Sequence, residues 1–109
     1  MNSTPDPTEL WKKLVELGEA WADADAAASL LEETRRSVLA EIALHSDGKS
    51  VAERETVALS MPAYRDHVRA MVEARRIANK ARVNYRAAET WCDMARTAEA
   101  TKRMEMGMR

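Results

Sequence analysis

The 109-residue chain contains no phenylalanine, only three glycines and three prolines, and a single cysteine. Each scarcity excludes something. One cysteine, Cys92, cannot form an intramolecular disulfide, so the fold rests on packing alone, and the chain fits a reducing compartment. The isolated Gly18, Gly48 and Gly107 form no glycine-rich phosphate loop. No run approaches the ~18 apolar residues of a membrane span, and the polar N-terminus, Met1 to Thr8, lacks a charged-then-apolar leader pattern. These features lead us to expect a soluble, cytoplasmic protein.

What is present is helix-forming. Hydrophobic residues make up 46% and charged residues 32%, with alanine, glutamate, arginine, leucine and methionine dominant. That mixture belongs to long helices and coiled coils. Alanine buries little area, so a lone helical hairpin would have a thin core, and oligomerisation is expected.

The longest uninterrupted stretch, Tyr64 to Met106, has neither Gly nor Pro. Along it Met71, Ala74, Ala78, Ala81, Tyr85, Ala88, Cys92 and Ala95 alternate at steps of three and four. This is the period of a helix that presents a narrow seam to another helix. A matching stripe runs through Leu10, Leu14, Leu17, Trp21, Ala24, Ala28, Leu31, Arg35, Val38, Ile42 and His45. Trp11, Val15, Leu30 and Leu39 widen that apolar face beyond a two-helix seam and, with Met94, Met104 and Met106, are the candidate partner or oligomer interface.

Boundaries follow from local signals. Met1 to Pro5 is expected to be disordered, ahead of a single domain, 6–109. Asp6-Pro7-Thr8-Glu9 is a helix start, with Asp6 as N-cap, Pro7 at the first position and Glu9 closing a capping box. The first helix is placed at 6–46 and closed by His45. Gly48 reads as a helix stop, and Ser50 with Glu53 as a second capping box. A short helix at 50–60 follows, then a kink or break at Ser60-Met61-Pro62, then a helix at 62–106. The expected fold is all-α: a long antiparallel helical hairpin with an alanine-rich seam and a short linking helix, dimerising into a bundle.

If the two long helices run antiparallel, facing residue numbers add to roughly 107. Trp21 then meets Tyr85 and Arg86, Leu14 and Leu17 meet Trp91 and Met94, and Trp11 meets Arg96 in a cation–π contact. Gly18 leaves a gap for Trp91. The stretch Arg96–Arg103, with pairs such as Arg96–Glu99 and Glu99–Arg103, is expected to overhang the first helix, carrying Met104, Met106 and Met108.

Charge is divided. Met1 to Gly48 carries a net −6 and Lys49 to Arg109 a net +5. The basic run Arg75, Arg76, Lys80, Arg82 and Arg86 contains no acid and is the candidate nucleic-acid-binding face. The competing reading pairs it with Glu16, Glu19, Asp23, Asp25, Glu32 and Glu33 of the first helix. No aromatic residue is interleaved as a stacking platform. His45 and His67 lack metal-ligand spacing, and Cys92 lacks a histidine at motif spacing. No enzyme activity, cofactor or small-molecule substrate is expected.

The segments Ser50-Val51-Ala52-Glu53-Arg54-Glu55, Pro62-Ala63-Tyr64-Arg65, Ala81-Arg82-Val83-Asn84-Tyr85 and Arg96 to Met106 together resemble small helical proteins of bacteriophages and prophages, found in gene neighbourhoods for DNA recombination and replication. The resemblance covers about Ser50 to Met106 and carries no assigned functional residue. It implies a phage origin in a bacterial host and a broad context, not an activity. Two seams with too little self-contained core lead us to expect a non-enzymatic accessory protein acting as an oligomerising protein-interaction module. The alternatives are a nucleic-acid binder and a small inhibitor of a host defence system.

Overall fold

The computed structural model describes residues 6–107; the expectation of a disordered Met1–Pro5, and Met108, lie outside them. The chain is all-α, with α1 Pro7–Glu33, α2 Arg35–Leu44, α3 Val51–Leu59 and α4 Pro62–Gly107, and no strand among the described residues. Helix α1 packs antiparallel along α4, and α2 packs chiefly on α3. The molecule is a rod, 86 × 21 × 18 Å. At 1.5 Å per residue α4 accounts for ~69 Å of that length, so the α2–α3 end projects beyond its first turn.

Local chemistry sets the helix ends. The Asp6 carboxylate accepts from the Thr8 amide at 3.1 Å, with Pro7 in the first turn, where its missing N–H costs nothing. Glu9 makes no reciprocal bond among the described residues. At α3 the Ser50 hydroxyl accepts from the Glu53 amide at 3.2 Å, and the Glu53 carboxylate reaches back to the Lys49 amide at 2.7 Å, one residue further than a standard box. His45 is the C-cap of α2, the helix-closing place expected of it.

Gly48 works differently from a left-handed helix stop. No glycine among the described residues has positive φ, and α2 ends four residues earlier. The turn instead folds onto the start of α3, where a Cβ on Gly48 would lie 2.9 Å from the Arg54 amide nitrogen. The Gly48 carbonyl also accepts from Arg54 Nε at 3.1 Å. Gly48→Ala is therefore expected to destabilise the chain by about 1–3 kcal/mol, the range for overpacking against rigid neighbours. A urea titration checks this, and a neutral effect would place the turn's constraint elsewhere.

The expected single first helix is interrupted at Thr34. The Thr34 hydroxyl donates to the Leu30 carbonyl at 2.7 Å and, more weakly, to that of Leu31 at 3.4 Å. Back-bonding of this kind bends helices. From α4, His67 Nε2 donates to the Leu31 carbonyl at 2.9 Å; a carbonyl can only accept, so Nε2 carries the proton. A side chain inserted into the helical ladder is a recognised cause of a kink. The bend also shifts the buried stripe. Arg35 and His45, placed on it by spacing, are exposed, while Thr34, Leu39, Ala43 and Ser46 turn inward beside Leu31, Val38 and Ile42.

Candidate functional site

The two seams meet in the expected register. All eight seam positions of α4 from Met71 to Ala95 are buried or half-buried, as are Leu10, Leu14, Leu17, Trp21, Ala24, Ala28 and Leu31 of α1. The Trp21 and Tyr85 rings lie 5.5 Å apart at 39°, and the Arg86 guanidinium sits 5.7 Å from the Trp21 ring. Both contacts combine dispersion with the ring quadrupole. The gap at Gly18 is filled by Tyr85, not Trp91: a Cβ there would stand 3.3 Å from Tyr85 Cε2.

Within this frame the basic run separates into unlike parts. Arg75 turns toward α1 and clamps two acids. Its Nε and Nη2 engage the two Glu32 oxygens at 2.9 and 2.7 Å, its Nη1 bonds Asp25 at 2.7 Å, and Nη2 also reaches Ser29 at 3.4 Å. The fork geometry suits bidentate recognition of a carboxylate. Hydrogen bonds donated to Glu32, then to Asp25, hold the Arg75 guanidinium above its ordinary pKa, and accepting from Arg75 holds Glu32 below its own. Arg76 stays on α4 and bonds Glu73 through Nε and Nη2 at 3.0 and 2.6 Å. That contact raises Arg76 and lowers Glu73. Lys80 and Arg82 are exposed and make no ion pair among the described residues.

The two arginine pairs test which contact matters to the fold. Arg75→Ala is expected to lower the melting temperature measurably, because it strands Asp25 and Glu32 beside each other. Arg76→Ala removes only an exposed i,i+3 pair, a class that contributes little, and should leave the melting temperature nearly unchanged. The Glu32 carboxylate has a depressed pKa in the folded state. Its contribution is therefore complete above its ordinary value of 4.5 and is lost as pH falls through the lower folded value. Thermal melts from pH 7 downward should show the wild type losing part of its advantage over Arg75→Ala in that acidic window.

The candidate interface residues are placed unequally. Trp11, Val15, Leu30, Met94, Met104 and Met106 are exposed; Leu39 is half-buried in α2, which packs on α3 and α4. Trp11 and Leu14 line a groove with Pro7, Leu10, Cys92, Ala95, Arg96 and Glu99 at one end of the hairpin. Trp11 and Arg96 share that groove, although the cation–π contact present is the one between Arg86 and Trp21. Because Pro7 and Leu10 reach Glu99, the overhang of α4 is shorter than expected and begins after it. Arg96 pairs with Asp93 at 2.9 Å instead of Glu99. Trp91 and Met94, expected against Leu14 and Leu17, instead line a shallow outer groove with Val83, Ala87 and Thr90. Leu14 is met by Cys92 and Ala95. Seven-residue spacing, with Ala70, Ile77, Asn84 and Trp91 each one residue ahead of a seam position, is the sequence signal for that placement.

No group of three or more His, Cys, Asp or Glu side chains among the described residues could hold a metal ion. No described helix is long and apolar enough to cross a membrane. Cys92 is a half-buried free thiol on the seam. No family model, curated protein or solved structure matches the chain.

Proposed function

We propose that this chain is a non-enzymatic interaction module that acts by oligomerising and docking onto other proteins. One observation carries the reading: the imbalance between core and surface. Among the described residues the buried hydrophobic core is Ala28, Ala43, Ala58 and Ala78, with no large side chain completely buried, while Trp11, Leu30, Leu44, Val51, Val72, Val83, Met94 and others stand exposed. Exposed apolar side chains mark an association surface where they form a contiguous patch. The resemblance of Ser50–Met106 to small phage-encoded helical proteins supports a phage-type accessory role in a bacterial cytoplasm, beside recombination or replication machinery.

Light scattering coupled to size exclusion tests the first part. A dimer or larger species is expected, and a monomer with full cooperative stability would overturn it. Capture from a bacterial host lysate, with a nuclease-treated control, tests the second part.

A nucleic-acid role is the second reading, favoured by the exposed Lys80 and Arg82, which stand on different sides of α4 and make no ion pair among the described residues. Arg75 and Arg86 are already engaged within the hairpin. DNA binding that weakens with salt and disappears in Lys80→Glu/Arg82→Glu would support this reading; no binding at low salt would exclude it.

A further inference from the structure

The two flanks of the hairpin differ in kind. Four residues after the seam positions Trp21, Ala28, Met71 and Ala78 come Asp25, Glu32, Arg75 and Arg82. This is the flank where Arg75 bridges the helices. One residue before Trp21, Ala28, Ala78 and Cys92 come Ala20, Ala27, Ile77 and Trp91. Those positions fall on the opposite flank, because in a seven-residue repeat the two sets lie on either side of the seam. Ala20 and Ala27 are exposed, as are Ile77 at 48% and Trp91 at 47%. One flank carries the ion pairs of Arg75; the other, apart from Lys13 and Asn84 at the same repeat position, is a strip of alanine, isoleucine and tryptophan.

The area is consistent with a missing neighbour on that strip. The chain exposes 8757 Å². A compact folded monomer of this length would expose about 6,100 Å². The excess is comfortably larger than the roughly 600–1,000 Å² that each partner contributes to a standard interface.

We propose that the alanine, isoleucine and tryptophan flank is covered by a second copy of this chain, giving a four-helix bundle whose two-fold axis runs along the rod. The inference rests on the oligomerising reading above and specifies its face and occupant. With that axis, α1 of one protomer lies antiparallel beside α4 of the other at the same height. The hairpin's own register then sets Leu30, 62% exposed, level with the partner's Ile77. The rims are complementary as well: Asp23 on the outer edge of α1 faces the region of the partner's Lys80, which is unpaired among the described residues. Small Ala20 and Ala27 let the four backbones approach closely, and an isologous contact closes the assembly at two.

The test compares charge insertions on the two sides. Ile77→Lys and Ala27→Lys place a charge on the proposed interface, and Val72→Lys places one on the ion-paired side. All three sites are exposed in the single chain, so helicity by circular dichroism should survive in each. Sedimentation equilibrium is expected to show the wild type and Val72→Lys as dimers, with dissociation on the order of 100-fold weaker in the two interface variants, as for an unpaired charge in a desolvated contact. In a Cys92→Ala background, a mixture of Leu30→Cys and Ile77→Cys chains should form a disulfide-linked heterodimer on mild oxidation. A wild type that dimerises while Ile77→Lys and Ala27→Lys dimerise equally well would overturn this face and leave the oligomerising reading standing. A monomeric wild type would overturn both.

Discussion

Trp21→Ala should be among the most damaging single truncations in the hairpin. The side chain holds two partners at once, stacking on Tyr85 at 5.5 Å and lying beneath the Arg86 guanidinium at 5.7 Å. Truncation removes a large apolar surface and an aromatic pair, and it opens space next to Gly18, whose missing Cβ already leaves room for Tyr85. Trp21 is half-buried, so the loss should fall near the lower end of the range for buried tryptophan, about 2–3 kcal/mol. For a domain of this size that corresponds to a fall in melting temperature of about 10–20 °C. Trp11→Ala is the control. Trp11 is 65% exposed, and its replacement should cost under about 0.5 kcal/mol in the single chain. Thermal melts of the two variants under identical conditions decide the matter. Equal losses would mean that Trp21 is not the anchor of the α1–α4 contact.

Ala78→Leu is expected to have a comparable effect by the opposite route. Ala78 and Ala28 are essentially inaccessible, and they lie on facing seams in the register fixed by Trp21 and Tyr85. With no large residue fully buried anywhere in the described chain, the helices are held close by the absence of side-chain bulk. Three added carbons have nowhere to go, so the backbones must separate, at a cost of about 1–3 kcal/mol. The consequence is non-additive. Once Ala78→Leu has forced the helices apart, Ala28→Leu should cost much less in the double variant than alone, since neighbouring sites sharing one backbone shift couple. Denaturant titrations of the two singles and the double give the coupling directly. Strict additivity would show that the two alanines do not share a contact.

The same contrast between bulk and its absence governs what could be read in advance. The positions facing inward along α4 were legible from spacing alone, because a helix has one period and alanine, cysteine and tyrosine recur on it at three and four residues. The register followed from chain geometry, and Trp21 meets Tyr85 and Arg86 as it requires. For Trp91, position on the helix outweighs size. Trp91 lies one residue off the seam, so it turns out toward Val83, Ala87 and Met94, while the smaller Cys92 faces Leu14.

The basic run shows the limit of charge counting. Five cations in sequence look like one feature, yet helical rotation sends Arg75 across to Asp25 and Glu32, keeps Arg76 on Glu73, and lays Arg86 on Trp21. Which acids of α1 would be met could not be read from composition. Only Asp25 and Glu32, of the six acids considered, stand at the right height and angle to bond Arg75.

By itself the sequence determined an all-α hairpin, the α4 seam and the α1 seam as far as Leu31, its caps at Asp6 and Ser50 and an interruption before Pro62. These depend on backbone sterics and on a helical period that acts within a few residues. Tertiary structure alone decided the bend at Thr34, where a hydroxyl and His67 from a distant helix converge on Leu30 and Leu31. It also decided that Gly48 serves close packing instead of a left-handed turn, and that one flank of the hairpin is laced by Arg75 while the other stays bare. The His67 contact and the Arg75 clamp depend on residues from remote parts of the chain arriving at the same place, which no local propensity encodes; the close packing of Gly48 depends on how the turn folds back onto Glu53 and Arg54.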